Sequence, residues 1–427
     1  MKKVLIQGPV ATRSGYGAHT RDLALSLIKS GKFDVEIAPT AWGNTPLTAL
    51  DAKTEDNAML IQHFIKSPNL DKKPDIFLQV TIPNEFNPIG EYNIGVTAGI
   101  ETDLAPGDWL EGCNRMDLVI ATSQHSADVL KNTKLEKRDQ KTNELLGAVS
   151  LEKPIEVLFE GVDTSIFHRL TKTGDIRPRV ITAMNQVEED FAFLVVGHWL
   201  QGDLGQDRKD IGMTIKTFYD AFQAKKKKPA LVLKVSLGGF SIPETAEILN
   251  RIQLIAERTT NNPKALPNVY LISDDLTDEE MNSLYNHPKI KAMVSLTKGE
   301  GFGRPLLEFA SLGKPVVASN WSGHLDFLDK EYHTLIPGEL KQVHPTAANN
   351  WVLKDAQWFT PDYGFATLLY KDIYDNYDKY LDKSKNFIKQ FKNSFTFIKM
   401  QERFVEILEN LPTGAPTSIK LPKLKVL

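Results

Sequence analysis

Residues 298–308 have the sequence KGEGFGRPLLE, and this stretch decides both the fold class and the candidate site. It follows an apolar run at 292–296 that is typical of a buried strand, and Pro305 suits the first turn of a helix. A glycine-rich turn between a strand and a helix leaves backbone N–H groups free at the positive end of the helix dipole, which favours anions such as phosphate. The helix is expected to end at Leu312, because Gly313 suits the left-handed position just past a helix end.

Two glutamates flank this predicted anion site. Glu300 precedes the helix, and Glu308 lies in its first turns. A carboxylate beside a phosphate is electrostatically unfavourable unless the carboxylate binds hydroxyl groups. A nucleotide sugar has hydroxyl groups on both sides of its diphosphate. The glutamate pair therefore predicts a site for such a molecule.

Apolar runs typical of buried strands alternate with helical patterns over most of the chain. The runs lie at residues 4–6, 35–37, 75–80, 93–97, 117–121 and 155–159, and then at 191–197, 231–235, 269–272, 292–296 and 316–318. Such alternation is typical of parallel sheets covered by helices on both faces. A chain of 427 residues has room for about two to three domains. We predict an α/β protein with two Rossmann-like, doubly wound domains that face a cleft, joined by the polar stretch 171–178.

Composition and charge narrow the function classes. The chain has 51 Lys and Arg residues, 54 Asp and Glu residues and 41% hydrophobic residues, which argues against disorder and against a global surface for polyanions. Its one cysteine, Cys113, and the lack of an H-E-x-x-H pattern among nine histidines argue against a structural metal. No apolar run reaches the ~18 residues of a membrane span. We therefore expect a soluble, cytoplasmic protein without a bound metal or cofactor.

Glu300 and Glu308 form an E-x7-E pair. In its glycine-rich turn, this pair resembles the donor motif of the retaining glycosyltransferases of family GT4, which have the GT-B fold. The resemblance implies that Glu300 faces the donor sugar and that Glu308 binds the nucleotide ribose. The donor-binding turn between them then includes Gly301, Phe302 and Gly303.

The domain assignment follows from the same resemblance. Residues 1–170 are expected to form the acceptor-side domain, and residues 171–384 the domain that binds the nucleotide sugar. C-terminal helices within 385–427 are expected to cross back and complete the first domain. The segment 157–167, VLFEGVDTSIF, is similar to the strand and Gly-Val-Asp turn that end the family's first domain, and it fixes the domain order.

The segment 14–20, SGYGAHT, also resembles a donor-binding element of the family. It follows the first predicted strand and opens a helix. Gly15 and Gly17 allow the backbone to approach the donor phosphates closely. A tight strand-to-helix turn without a ligand is the alternative interpretation.

Residues 196–210 resemble the strand, loop and basic pair that bind the donor diphosphate. Arg208 and Lys209 are the candidate cations, since fixed cations stabilise the charge on a departing diphosphate more in the transition state than in the ground state. Many relatives have Gly-Arg where this chain has Gly197 and His198, so Arg208 is expected to take over that arginine's role. A solvated basic pair at a helix start is the alternative, and the run 225–228 is interpreted in that way.

The segment 97–109 resembles a Glu-Thr turn in the first domain of a subset of these transferases. Glu101 is the candidate to orient an acceptor hydroxyl or to accept its proton, and an ordinary buried polar turn is the alternative. His125 is interpreted as a helix-face residue, and the turn at 321–328 as structural.

Other enzyme classes fit the sequence less well. A dinucleotide oxidoreductase needs a third glycine in G-x-G-x-x-G, and the corresponding positions hold Thr20 and Leu306. Single-domain, metal-dependent transferases use an Asp-x-Asp pair, which this sequence lacks. By resemblance we expect a metal-independent, retaining glycosyltransferase with Glu300, Arg208, Lys209 and Glu101 as catalytic candidates.

The acceptor is the open question. We predict a glycan or another small hydroxyl-bearing molecule, with hydroxylated DNA bases as the alternative acceptor and a non-catalytic nucleotide-sugar-binding scaffold as the alternative of another class. Residues 131–153 form a predicted surface excursion with six basic and four acidic side chains, an excess too small to favour DNA.

Overall fold

The computed structural model describes residues 1–67, 72–139, 141–202 and 204–412 of the chain. The strands are β1 Lys2–Gly8, β2 Phe33–Pro39, β3 Ile76–Val80, β4 Tyr92–Thr97, β5 Leu118–Ala121, β6 Lys134–Arg138, β7 Leu145–Ser150, β8 Ile155–Val157, β9 Ala192–His198, β10 Ala230–Ser236, β11 Val269–Leu271, β12 Ile290–Ser295, β13 Val316–Ser319, β14 Thr334–Ile336, β15 Gly338–Gln342 and β16 Gln357–Pro361. The helices are α1 Gly15–Ser30, α2 Glu55–Gln62, α3 Gly107–Asn114, α4 Gln124–Asn132, α5 Pro178–Met184, α6 Ile211–Phe222, α7 Ile242–Thr259, α8 Asp278–Asn286, α9 Arg304–Ala310, α10 Tyr363–Asp375, α11 Tyr377–Lys385, α12 Phe387–Ser394 and α13 Phe397–Glu409.

Two six-stranded sheets organise these elements. The first has the strand order β2-β1-β3-β4-β5-β8 and the second has the order β11-β10-β9-β12-β13-β14. All neighbouring strands in both sheets are parallel, as where Val4 lies opposite Val35 and Ile76. The prediction of two Rossmann-like, doubly wound sheets is confirmed.

The sheet order places a ligand crevice in each domain. Strand order reverses between β1 and β3 in the first sheet, and between β9 and β12 in the second. In open parallel sheets, ligands bind beyond the carboxyl ends of the strands at this point of reversal. The loops after β1, β4, β9 and β12 carry the residues that the sequence singled out.

Both faces of each sheet are buried, because successive side chains of a strand point to opposite faces. In β9, Leu194 packs in one hydrophobic cluster and its neighbours Phe193 and Val195 pack in another. In β1, Val4 and Ile6 pack together while Leu5 packs in a separate cluster. This explains why these strands have continuous apolar runs rather than alternating patterns.

The C-terminal helices connect the domains. In α12, Phe387 and Phe391 pack in the cluster that contains Leu194 of the second sheet. In α13, Phe404 and Leu408 pack with residues of β1 and α1 in the first domain, so the predicted crossing back is confirmed. Residues 413–427 of the predicted crossing lie outside the described residues, and the domain limits of 170 and 384 stay predictions.

Three local features differ from the sequence predictions. Helix α9 ends at Ala310, two residues before Leu312, and Gly313 has the left-handed φ of 65° that its position suggested. The excursion 131–153 contains the antiparallel hairpin β6–β7, with Leu145 and Leu146 exposed. A second antiparallel hairpin, β15–β16, was not predicted.

Among the described residues, no helix is both long enough and apolar enough to cross a membrane.

Candidate active site

Glu300 lies at the centre of a buried charge cluster beyond the carboxyl end of β12. Its carboxylate Oε1 lies 2.5 Å from Lys209 Nζ, and its Oε2 lies 3.5 Å from Arg208 Nη1. The same Arg208 Nη1 lies 3.5 Å from Oε1 of Glu101, which belongs to the first domain. The structure therefore brings together all four residues that the sequence nominated for catalysis.

The charge states in this cluster follow from its pairing. Burial alone would raise the pKa of Glu300, but Lys209 and Arg208 outweigh burial and lower the pKa to about 2. Burial lowers the pKa of Lys209, and Glu300 opposes that shift. The pKa of Arg208 is raised, because Glu101 and Glu300 outweigh its burial. Glu300 is thus a fixed negative charge at neutral pH.

The motif glycines let the two domains touch through their backbones. A Cβ atom at Gly299 would lie 2.0 Å from the carbonyl oxygen of Glu101, and one at Gly301 would lie 2.1 Å from that of Ala98. Any larger residue would push the Glu101 turn away from Glu300. The sequence suggested a donor role for Gly301, and its observed contact is this interdomain one.

The other two residues of the motif turn have different surroundings. Gly303 caps the N-terminus of α9 with a left-handed φ of 96°. The ring of Phe302 is buried in the hydrophobic core, 5.1 Å from that of Phe327, so its side chain does not line the cleft. Of the predicted donor-binding residues, Phe302 can therefore face a donor only with its backbone.

Glu308 lies in a second buried cluster. Its carboxylate accepts hydrogen bonds from Arg304 Nε at 3.0 Å and from the Tyr285 hydroxyl at 3.1 Å. Burial raises the pKa of Glu308 to about 7, although Arg304 opposes this shift. A carboxylate has about four acceptor positions, so two remain for further hydroxyl donors.

Arg304 joins Glu308 to the first domain. Its Nη1 lies 2.5 Å from Asp22 Oδ2 in α1 and 3.9 Å from Glu160 Oε2. Burial raises the pKa of Glu160 to about 7 and also raises that of Asp22. One guanidinium therefore pairs with three carboxylates from both domains, of which Glu160 and Glu308 are buried and Asp22 is partly buried.

A cavity of about 340 Å³ opens beside Arg304 between the domains. It is lined by Arg13, Arg21, Asp22, the loop before α2 and the first turn of α2 in the first domain, and by the start of α8 in the second. Of these, Arg13 also reaches the second domain, with its Nε 3.1 Å from Asp275 Oδ2. Charged groups of both signs line this space.

The predicted phosphate loop lies at the start of α1. Gly15 is exposed and has open space where a Cβ atom would be, which leaves its backbone accessible. A Cβ atom at Gly17 would instead lie 2.3 Å from the carbonyl oxygen of Thr12, so this glycine is required by the packing of its own loop. Between them, the Tyr16 hydroxyl lies 2.9 Å from Thr97 Oγ1, and its ring stacks on Trp42 at 4.2 Å.

Two histidines lie near the cluster. His324 is buried and its Nε2 lies 2.7 Å from the carbonyl oxygen of Ser319, consistent with the structural role predicted for residues 321–328. His125 is the second residue of α4, its ring lies 4.6 Å from that of Trp321, and burial lowers its pKa to about 4. Across the part of the chain that the structure describes, no three His, Cys, Asp or Glu side chains form a group suited to a metal ion.

Sequence reasoning missed the partners of the nominated residues. Arg304 lies inside the quoted motif, and its position four residues before Glu308 on a helix was a usable signal. The pairing of Lys298 with Asp210 was also missed, although Lys298 opens the quoted motif, Asp210 ends the segment 196–210, and both are buried. No local signal marks Asp22 and Glu160, which meet Arg304 only through the packing of the two domains.

Comparisons with solved structures return proteins of the same architecture. HepE from Anabaena, in complex with UDP and glucose, matches 96% of this chain and 100% of its own with a TM-score of 0.59 and 14% identity. Sucrose-phosphate synthase from Thermosynechococcus elongatus matches 96% of this chain and 98% of its own, with a TM-score of 0.63 and 14% identity. A glycosyltransferase from Rickettsia africae matches 96% of this chain and 99% of its own, with a TM-score of 0.57 and 14% identity.

No protein-family model matches the chain, and no curated protein sequence is significantly similar to it. At 14% identity, the structural similarity establishes the fold. The two sheets, their order and the crossing helix α13 are those of the GT-B glycosyltransferase fold.

Proposed function

We propose that this chain is a retaining, metal-independent glycosyltransferase that moves a sugar from a nucleoside diphosphate sugar to a hydroxyl group of a glycan or other small acceptor. The observation that carries the proposal is the contact of buried Glu300 with the partly buried Lys209 and Arg208, directly opposite Glu101 of the other domain. Fold similarity to HepE, which was solved with UDP-glucose, supports a sugar nucleotide as the donor.

In the proposed reaction, the bond between C1 of the donor sugar and the diphosphate oxygen breaks, and its electron pair leaves with the diphosphate. The acceptor oxygen bonds to C1 on the face that the diphosphate leaves. Arg208 and Lys209 neutralise the charge that grows on the leaving group, and a buried, preorganised cation does so at little reorganisation cost. Glu101 orients the acceptor hydroxyl, and the hydroxyl proton passes to Glu101 or to the leaving diphosphate.

The two glutamates of the motif have separate tasks in this proposal. Glu300 is ionised and buried, and it faces the hydroxyls of the donor sugar. Glu308 offers its two remaining acceptor positions to the ribose hydroxyls. Gly15 and the start of α9 contribute backbone N–H groups for the phosphates.

A thermal-shift panel of UDP, GDP and ADP sugars tests the donor class, since a ligand at 100 times its dissociation constant stabilises the folded protein by about 2.7 kcal/mol. With the donor identified, NMR coupling constants of the product give the anomeric configuration. An inverted product would contradict retention. Loss of activity in EDTA that manganese restores would contradict metal independence.

An activity assay with the identified donor separates an enzyme from a non-catalytic scaffold that only binds the nucleotide sugar. Donor binding without transfer or donor hydrolysis would support the non-catalytic alternative.

Hydroxylated DNA bases rank below small acceptors as the substrate. The exposed tip of the β6–β7 hairpin carries the apolar residues Leu145 and Leu146, and the hairpin's Lys137 is paired with Glu111. Sub-micromolar, salt-dependent DNA binding that disappears on deletion of residues 131–153 would reverse this ranking.

A further inference from the structure

A buried ion pair lies directly beneath the two cations of the candidate site. Lys298 is 1% exposed and Asp210 is fully buried, with Lys298 Nζ 3.6 Å from Asp210 Oδ2. Asp210 follows Lys209 in the chain, and Lys298 precedes Glu300 by two residues. The pair therefore connects the segments that carry the two sides of the Glu300–Lys209 contact.

A third segment of the chain also contacts this ion pair. The Tyr363 hydroxyl donates to Asp210 Oδ2 at 2.5 Å, and Lys298 Nζ lies 3.5 Å from Thr360 Oγ1 and 5.9 Å from the centre of the Trp358 ring. These contacts come from β16 and the start of α10. Burial of an ion pair stabilises a fold little compared with apolar side chains of similar size, so the pair calls for a reason other than stability.

The backbone of the turn that carries Arg208 and Lys209 is hydrogen-bonded to the Lys298 segment. The Lys298 N–H donates to the Arg208 carbonyl oxygen at 2.8 Å, and the Phe359 N–H donates to the Lys298 carbonyl oxygen at 2.9 Å. Asp210 has a left-handed φ of 52°, which non-glycine residues rarely adopt. This conformation turns the chain so that Asp210 points inward while Lys209 and Arg208 point at Glu300.

We propose that Asp210 and Lys298 are positioning residues that hold Arg208 and Lys209 in the geometry needed to stabilise the departing diphosphate. This role rests on the proposed transferase function. The two residues act through the cations and do not touch the donor themselves.

The β15–β16 hairpin also contacts the Glu101 turn on the acceptor side of the cleft. The Asp103 N–H donates to the Gln357 carbonyl oxygen at 2.9 Å, and the Gln357 N–H donates to Asp103 Oδ1 at 2.6 Å. Asp103 lies two residues after Glu101. Strand β16 therefore fixes both the Lys298 segment and the Glu101 turn.

The test compares Lys298→Met and Asp210→Asn, which keep the side-chain size, with the wild-type protein. We expect kcat to fall at least tenfold while the donor KM changes less than threefold, because a misplaced cation affects the transition state more than ground-state binding. Lys289→Met is the matched control, since this lysine of the same domain donates to the Val187 carbonyl oxygen. It should change kcat less than twofold.

A double-mutant cycle separates positioning from general stability. In a background that carries both Arg208→Met and Lys209→Met, Lys298→Met should lower kcat by less than a further threefold, because both cations through which it acts are already removed. The neutral pair Lys298→Met with Asp210→Asn should recover thermal stability without recovering kcat. If Lys298→Met fails to fold, Tyr363→Phe removes the support of Asp210 and should give the same drop in kcat.

Three outcomes would overturn the positioning role. They are an unchanged kcat per folded molecule in Lys298→Met, a fully multiplicative effect of Lys298→Met in the background that lacks both Arg208 and Lys209, and recovery of kcat in the neutral pair. Each leaves the transferase proposal intact when the wild type is active. A wild type that neither transfers sugar nor binds UDP, GDP or ADP would instead contradict the proposed function, and the positioning role with it.

Discussion

The two glutamates of the E-x7-E segment differ in charge although both are buried. Glu300 and Glu308 are 6% and 8% exposed, so burial is nearly equal. Glu300 pairs with Lys209 and with Arg208, which it shares with Glu101, and its pKa falls to about 2. Glu308 shares Arg304 with Asp22 and Glu160, and burial raises its pKa to about 7. The E-x7-E spacing sets where the two carboxylates lie relative to α9. Their protonation depends on charged partners from distant segments of the chain.

This difference suits the two proposed tasks. A carboxylate that stays ionised beside Arg208 and Lys209 keeps those cations charged and ordered in a buried cleft. A carboxylate that exchanges a proton near neutral pH can bind hydroxyl groups without adding a full negative charge next to a diphosphate.

The largest expected effect is a loss of turnover when the cations that contact Glu300 are replaced. Replacing both Arg208 and Lys209 with Met should lower turnover at least ~100-fold, the loss seen when a single preorganised donor is removed. Steady-state kinetics with the identified donor measure this change. Lys226→Met with Lys227→Met, in the exposed basic run, is the control and should leave turnover unchanged. A double variant with wild-type turnover would remove the cations from the mechanism.

At the Glu308 end, the expected effect is on binding. Glu308→Ala should weaken nucleoside diphosphate binding by about 1–3 kcal/mol, the range for hydrogen bonds to a charged group. Calorimetry with the free nucleoside diphosphate measures the affinity. Glu339→Ala, at an exposed position in β15, serves as the control. Equal affinities for Glu308→Ala and the wild type would exclude Glu308 from the nucleotide site.

The pH dependence of stability distinguishes the two glutamates directly. The folded-state pKa of Glu308 lies above its ordinary value of 4.5, so its protonated form stabilises the fold and this contribution is lost as pH rises from 4.5 through about 7. Between pH 5 and pH 8, Glu308→Gln should therefore gain about 2–3 kcal/mol relative to the wild type.

Glu300→Gln is the matched comparison in the same experiment. Its folded-state pKa lies below 4.5, so the stability it contributes is lost only as pH falls from 4.5 through about 2. Urea unfolding at pH 5, 6, 7 and 8 should show Glu300→Gln parallel to the wild type. Parallel curves for both variants would mean that the two glutamates do not differ in charge.

The smallest effect is expected at the rim of the cavity. Arg13 and Asp275 form a partly exposed interdomain pair at 3.1 Å. Such pairs contribute about 0–1 kcal/mol, so Arg13→Met should shift the unfolding free energy by no more than that. Thermal unfolding measures the shift. A loss several times larger would show that this pair, rather than the Arg304 cluster, holds the domains together.

The sequence by itself determined the elements and their order. Apolar runs such as 191–197 and 231–235 gave β9 and β10 within a few residues, because burial on both faces leaves a continuous apolar pattern. Glycine and proline marked the turn before α9, because their backbone preferences act locally. The order of alternating strands and helices then restricted the sheets to the doubly wound kind.

Tertiary structure alone decided how the charges are shared. Asp22 meets Arg304 across 282 residues of sequence, and Asp210 meets Tyr363 across 153. The packing of Phe302 into the core and the docking of β16 beside Asp103 likewise depend on the whole fold. The pKa of a buried group is set by every charge near it in space. Local sequence therefore placed Glu300 and Glu308, and the assembled domains made one of them a fixed anion and the other a group that titrates near neutral pH.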